Sequence, residues 1–307
     1  MKKLKIYANS VMALLCLHFV ANAQSYFYND RYYDAPVLTE LGISLGAMNC
    51  LTDLGGKSGT GKKLLKDLNW QNTHFCAGIN FTMMYKGLVA VRAEANYGQV
   101  AAADSLLKND PSAASYRYLR NLSFKSIILE AYLGIEFHPL LLLQTYKENG
   151  IALSPFIVAG IGLYNFNPQA YTGSSWVNLA ALHTEGQGFT EFPDKKEYKL
   201  TQLNFPIGGG LKYELSPVIN LRFELLYRIL KTDYLDDVSG SYVDSRSFHR
   251  NMSPTLAKLA EKMADRTKEL NPLLRNTAGT IRGNPENKDA YFSMNLKISF
   301  VLNRTER

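Results

Sequence analysis

Four aspartates, Asp233, Asp236, Asp237 and Asp244, crowd the segment 232–244 together with Tyr234 and Tyr242. Carboxylate oxygens at that density could hold calcium, but the spacing departs from the alternating ligand positions of a helix-loop-helix calcium loop. The other reading is structural: these acids cap turns and pair with Arg246, Arg266 or Arg282. His74, His183 and His249 could each act as a general base beside Asp53, Asp236 or Asp237. No Ser-His-Asp order and no His-Glu-x-x-His spacing accompanies them, and geometry rather than residue presence would have to make a catalytic site. The expectation is a protein that is not an enzyme, without metal or cofactor. The run from Gly55 to Lys63 has the glycines and lysines of a phosphate-binding loop without the Walker spacing, so it reads as a basic surface loop and no nucleotide is expected.

The elements that position these residues are strands. From Ile219 to Arg228 the chain alternates apolar side chains with charged or amide ones, the signature of a sheet with one apolar and one polar face. Eight segments carry such a pattern: Thr39 to Met48, Asn72 to Tyr85, Leu88 to Gly98, Ser123 to His138, Ile151 to Phe166, Leu200 to Leu215, Val218 to Ile229 and Asp289 to Leu302. Each is long enough to cross a membrane at a tilt. Their connections alternate in length: Lys86, Ser216-Pro217 and the intermediate Pro139 to Gly150 fall at one end. The long links Asn49 to Gln71, Gln99 to Leu122, Asn167 to Lys199 and Leu230 to Lys288 fall at the other. Bacterial barrels keep short turns in the periplasm and long loops outside. The fold class read from this is all-β, an eight-stranded antiparallel transmembrane β-barrel with long extracellular loops and a short helix in the last loop.

Parity sorts the side chains. Val89, Val91, Ala93, Ala95 and Tyr97 face outward, as do the odd residues from Ile127 to Phe137 and the even ones from Phe292 to Phe300. The inward set places Arg92, Lys212, Arg222, Arg228 and Lys297 against Glu94, Glu130, Glu136, Glu214 and Glu224. An eight-stranded lumen is wide enough only for side chains, so these charges are expected to pair as a packed interior without an open pore. The fifth segment is apolar on both faces, and Gly160, Gly162 and Gly208-Gly209-Gly210 relieve crowding or let the strands bend. Cys50 and Cys76 share parity near one end of the first two strands. A disulfide is geometrically possible there, and two unlinked side chains is the alternative that the register decides.

At the N-terminus, Lys2, Lys3 and Lys5 precede the apolar run Val11 to Val20 and then Ala21-Asn22-Ala23, as in a cleavable secretion signal. The domains read as signal peptide 1–23, periplasmic segment 24–38, barrel 39–302 and tail 303–307. Cys16 follows Leu15 without the small residue of a lipoprotein signal. No other stretch approaches the ~20 apolar residues of a membrane helix, so a span must be built from strands. The formal charge of +7 falls to +4 when three lysines leave with the signal, too mild to argue for nucleic acid. Nineteen tyrosines and fifteen phenylalanines against two tryptophans suit aromatic girdles but also a soluble sandwich, so composition alone leaves both open.

In the last loop Ser253-Pro254 is expected to open a helix running to Leu270, with Leu256, Leu259, Ala260, Met263 and Thr267 as its apolar stripe. The chain here resembles a known family. Leu41 to Gly46 with Thr52-Asp53-Leu54, the acidic-aromatic stretch with Asp233, Tyr234, Asp236, Asp237 and Asp244, then Ala264-Asp265-Arg266-Thr267, Arg282-Gly283-Asn284-Pro285 and Asp289-Ala290-Tyr291-Phe292 are similar to the Bacteroidetes outer-membrane barrels that include the type IX secretion component PorG. The resemblance spans essentially the whole mature chain. It implies a non-catalytic outer-membrane component of that secretion system, contacting periplasmic ring and translocon subunits through Gln24 to Val37 and Pro139 to Gly150. Surface adhesion or ligand binding by long aromatic loops such as Asn165 to Trp176 is the alternative, and a hydrolase at the rim is a third.

Overall fold

The computed structural model describes residues 32–33, 36–55, 69–108, 115–142 and 153–306. The expected signal peptide, most of the segment 24–38, residues 56–68 of the first long loop, residues 143–150 of the intermediate turn and Arg307 lie outside the described residues. Eight long strands form the wall: β1 (Val37–Leu51), β2 (His74–Tyr85), β3 (Val89–Ala103), β4 (Ser123–Phe137), β5 (Leu153–Asn165), β6 (Thr201–Ser216), β7 (Ile219–Leu230) and β8 (Ala290–Val301). Each pairs antiparallel with its sequence neighbour, and β8 pairs with β1, so the sheet closes as an up-and-down barrel. The first and third strands extend past the expected Met48 and Gly98, because Gln99 to Ala103 continue their ladder with β4 and Cys50 and Leu51 theirs with β8.

The wall is inside out relative to a soluble sheet. Leu41, Ile43 and Leu45 of β1 and Ile127, Leu129, Leu133 and Ile135 of β4 are each half or more exposed, while the intervening residues are buried. A closed belt of aliphatic side chains facing out, around a buried charged interior, is the arrangement that lipid requires and water penalises. At ~3.3 Å per residue and a tilt near 40°, even the shortest strands rise about 30 Å, enough for an outer-membrane apolar band of ~25 Å. The chain is an outer-membrane-type β-barrel. Phe75 and Tyr97 stand exposed toward the long-loop end, and Tyr85 and Phe300 toward the other, as interface rings do.

Glycines set how closely strands approach on the inner face of β6. A methyl added to Gly210 would lie 2.0 Å from the Phe223 carbonyl oxygen and 2.9 Å from Phe156 Cζ, so the large ring of β5 fits only because position 210 lacks a side chain. At the short-turn end Lys86 and Gly87 both take positive φ, 50° and 73°, which tightens the β2–β3 turn. There also the pair Tyr32–Tyr33 runs antiparallel to Thr305–Glu306, tying both ends of the described chain together, a pairing for which the sequence carries no alternating pattern.

The long-loop end is a second core. Met48, Val100, Phe124, Ile128, Tyr164 and Tyr291 of the wall are continuous with Leu54, Leu182, Phe189, Leu235, Val238 and Phe248 of the loops. The upper lumen is thus apolar and capped, where the sequence marked only the fifth segment as apolar on its inner face. The loops carry helices α1 (Ser115–Arg120), α2 (Ser245–Asn251), α3 (Pro254–Ala264) and α4 (Thr267–Leu270). The single helix expected to reach Leu270 is broken at Asp265-Arg266, where Asp265 Oδ1 accepts the Thr267 N–H at 3.1 Å and Oδ2 the Asn276 N–H at 3.0 Å. The face that α3 buries is Ala257, Ala260, Met263 and Ala264, while Leu256 points outward. Of the expected stripe, Ala260, Met263 and Thr267 are buried and Leu259 packs against the core, so only Leu256 departs from it. Ser253 makes no side-chain capping bond, whereas Asp244 caps α2 by accepting the Arg246 N–H at 3.0 Å.

Candidate functional site

The interior charges form one braced network. Strand order places β3 and β4 across the lumen from β7 and β8, and both signs occur on each side, with Arg92 on β3 and Glu224 on β7. Lys212, Arg222 and Lys297 lie side by side on β6, β7 and β8, with Arg228 further up β7. Glu40, Glu94, Glu130 and Glu136 stand on β1, β3 and β4. Arg222 reaches Glu40 at 2.6 Å and Glu136 at 3.4 Å, Arg228 reaches Glu130 at 2.8 Å, and Lys297 bridges Glu94 at 2.5 Å and Glu224 at 2.7 Å. Arg92, fully buried, joins three carboxylates: Glu94 at 3.3 Å, Glu136 at 3.0 Å and Glu224 at 2.7 Å. Tyr132 accepts from Arg92 at 2.7 Å and donates to Glu94 at 2.8 Å.

All ten residues expected in the lumen face it, with two adjustments. Glu214 sits at the rim, partly exposed, on Lys212 at 3.3 Å. Glu40, inside the expected first strand but not among the ten, is a sixth acid, fully buried and shared by Arg222 and Lys212. The balance is therefore six acids to five bases, with His138 Nε2–H donating to Glu136 Oε1 at 2.8 Å.

His138 also contacts Ser154 Oγ at 2.8 Å through its other ring nitrogen. Ser154, His138 and Glu136 thus follow the residue order of a hydrolytic triad with the ring nitrogens exchanged, Nδ1 on the serine and Nε2 on the acid. Glu136 is, however, neutralised by Arg92 and Arg222, which weakens its support for an imidazolium, and none of the three lines either cavity described below. The serine ends the network rather than attacking a substrate. Ser154→Ala is expected to lower barrel stability by about 1 kcal/mol, one lost neutral hydrogen bond, and to leave hydrolysis of a fluorogenic ester at background. Urea midpoints and an esterase assay on the purified barrel check both.

The rim histidines are not brought to the aspartates. His74 faces Gln99 at 3.4 Å, His183 lies 3.9 Å from Glu197, and His249 lies 3.5 Å from Glu261. Cys50 and Cys76 are both buried free thiols; the β1–β2 register sets Cys76 against Gly46, four positions from Cys50, too far along the strand for a bridge. The possible disulfide is not made.

The acidic-aromatic stretch and the Arg-Gly-Asn-Pro turn do come together, over the long-loop mouth. Arg282 is buried and donates to the Asp237 carbonyl at 2.6 Å, Glu185 at 2.9 Å and the Ala264 carbonyl at 3.3 Å. Its own carbonyl accepts from Arg120 at 2.6 Å, and Arg120 holds Asp104 through two bonds of 2.8 and 2.9 Å and the Asp53 carbonyl at 2.8 Å. Asp237 has φ 66° and receives Thr184 at 2.5 Å and Tyr198 at 2.7 Å; burial pushes its carboxyl up to about 6. Asn284 N–H donates to Asp53 at 2.6 Å, next to Gly283, where a methyl would meet the Ser239 carbonyl at 2.8 Å. Glu185 accepts the Ser239 and Gly240 N–H groups at 3.0 Å each. Glu185, Arg120 and Asp104 were not singled out in sequence; no spacing links them, since they meet only across three loops.

Of the expected pairings, Asp244 holds Arg246 at 2.6 Å and Arg282 lies 3.9 Å from Asp237, but Arg266 pairs with Glu269 at 2.9 Å instead. Asp244 is exposed, and its bond to Arg246 holds it down at about 2. No three acidic, imidazole or thiol groups among the described residues are arranged to close on a metal ion. A cavity of about 630 Å³ opens beside the cap, lined by Asp53, Asn69, Asn72, Tyr116, Arg120, Arg282, Asn284, Lys288 and Asp289 among others. A second, of about 600 Å³, lies along the outer wall over Ala93, Ala95 and Ala131 between Phe81 and Leu163, facing lipid.

No protein-family model matches this chain, and no curated protein is similar to it. Among solved structures it is similar to Neisserial surface protein A, at 9% identity over 86% of this chain and 97% of that one, TM-score 0.36. It is similar to Ail, the attachment invasion locus protein of Yersinia pestis, at 8% identity over 87% and 100%, TM-score 0.37. The outer membrane protein OprG from Pseudomonas aeruginosa matches at 12% identity over 87% and 97%, TM-score 0.36. Likeness at this level adds no functional argument to the barrel topology itself.

Proposed function

We propose that this barrel is a non-catalytic outer-membrane component of a type IX protein secretion system, linking the membrane to periplasmic ring and translocon subunits in the manner of PorG. The observation that carries the reading is the cap. The segments that resemble the family, 52–54, 232–244, 264–267 and 282–285, lie far apart in sequence and meet in one buried network around Arg282 and Arg120. Below it the lumen is filled by paired charges, which suits a scaffold rather than a conduit. The short-turn end, with Lys86 and the Pro139–Leu142 turn, is the face a periplasmic ring would meet.

Deleting the gene is expected to leave secretion cargo in the periplasm, with surface delivery restored by the intact gene. Photo-crosslinkers at Lys86 and Pro139 should capture periplasmic subunits, and one at the exposed Tyr171 should not. Normal cargo delivery in the deletion strain sinks the proposal. The cavity beside the cap favours a second reading, capture of a surface ligand. Crosslinks confined to Tyr171 together with normal secretion would select it.

A further inference from the structure

Four carboxylates remain that the cap network does not neutralise. Asp233, Asp236 and Asp289 are buried and Asp53 is half-buried, and none of the four makes an ion pair within 4 Å among the described residues. They belong to three separate pieces of chain and hold them together. Asp236 Oδ2 on the last loop accepts the Leu54 N–H of the first loop at 3.2 Å. Asp289, at the foot of β8, accepts the Leu235 N–H at 2.8 Å and donates its own N–H to the Thr232 carbonyl at 3.2 Å. Asp53 is tied to Asn284. Both oxygens of Asp233 are buried without a hydrogen-bond partner.

Four like charges so placed repel one another with little water to screen them, and a buried ionised carboxylate without a partner is strongly disfavoured. Metal-ligand convergence is absent among the described residues, so no cation seat offsets the repulsion. We infer that these carboxylates form a proton-loaded clasp: protonated, it locks the first loop to both ends of the last loop, and ionised, its repulsion loosens the cap over the adjoining cavity. The surroundings do little to prevent this. Facing the cluster are Thr52 and Cys50 from the β1 end, Ser239 and Glu185 from the loops, Tyr164 from β5, Arg117 and Arg120 from α1 and Lys288 before β8, so three bases stand against five acids. Burial pushes Asp53 up to about 6 and Asp233 up to about 7, and it raises Asp236 and Asp289 well above the ordinary carboxylate range.

The sign follows from proton binding. The closed cap holds protons that the open one releases, since solvent-exposed aspartates ionise near pH 3.9. Closure is therefore tightest below about pH 4 and weakens as pH rises through 6 and 7, by up to about tenfold in the opening equilibrium per pH unit for each proton involved.

Hydrogen exchange of the intact protein in lipid nanodiscs at pH 5 and pH 8 tests this, read as protection factors for peptides carrying the Leu54 and Leu235 amides. Protection is expected to fall by about tenfold or more at pH 8, while β4 amides hold constant. Asp233→Asn should raise protection at pH 8 and flatten the dependence, and Asp244→Asn, an exposed helix cap, should leave it as in wild type. If Asp233→Asn does not insert, Asp289→Asn serves, because an amide oxygen can still accept the Leu235 N–H. Equal protection at both pH values, or an unchanged dependence in the asparagine variants, overturns the clasp. So does restoration of protection at pH 8 by millimolar calcium and its loss with EDTA, because the acids would then take a metal ion rather than protons.

Discussion

Arg92→Ala is expected to lose about 3–5 kcal/mol of barrel stability, enough to abolish the folded, heat-modifiable species at moderate urea. The reason is the number of charges it leaves behind. Arg92 is fully buried and touches Glu94, Glu136 and Glu224, so removing it strands carboxylates from both sides of the lumen at once. Lys297 would still serve Glu94 and Glu224, and Arg222 would still serve Glu136, which keeps the loss within the range of one broken buried pair rather than three. Arg92→Met with Glu224→Gln should recover part of the loss, because the second change removes one of the orphaned charges. Urea titration of the heat-modifiable gel band and of tryptophan-independent circular dichroism gives the midpoints. A single variant within 1 kcal/mol of wild type would mean that water reaches the lumen and that the network is screened rather than dry.

Arg282→Ala is expected to open the cap while sparing the wall. The guanidinium holds Glu185 and the carbonyls of Asp237 and Ala264, and its loss leaves Glu185 without its only ion pair among the described residues, at a cost of about 3–5 kcal/mol to cap closure. Limited proteolysis from outside intact cells should then cut within 232–289 at rates about a hundred to a few thousand times higher, while the heat-modifiable mobility of the barrel persists. Arg282→Lys should recover little, since one ammonium cannot match a planar fork reaching three acceptors. Collapse of the barrel together with the cap would show that cap and wall form one cooperative unit. Equal protease resistance would show that Arg120 and the apolar core of the mouth suffice.

The two variants separate the parts of the molecule according to how far each could be read from the chain. Strand number, order and facing follow from a period of two repeated eight times, and the half-exposed Leu129 and buried Glu130 are one residue apart for that reason. Loop length then assigned the two ends. The helix at Pro254 was legible from its proline, and most of its buried face from its stripe, with Leu256 the exception. Leu256 outranks alanine in hydropathy, yet it lies off the buried face, where Ala257 and Ala264 join the expected Ala260 and Met263. A disulfide between Cys50 and Cys76 was allowed by parity and refused by register, a quantity that matching parity does not contain.

The cap shows the same division more sharply. Asp233, Asp236, Asp237 and Arg282 stand out in sequence by density and type, but the partners Glu185, Arg120, Thr184 and Leu54 come from other loops. Whether an aspartate caps a turn, pairs with arginine or sits unpaired beside three others depends on those distant segments. The sequence by itself determined a closed, lipid-facing barrel with charges inside, because alternation and span length act locally along each strand. Only the tertiary structure decided which charges meet across the lumen, that its long-loop end is apolar and capped, and that three buried carboxylates and the half-buried Asp53 come together. Pairing energies depend on the separation of groups in space, and residues 53 and 289 become neighbours only when the barrel has closed.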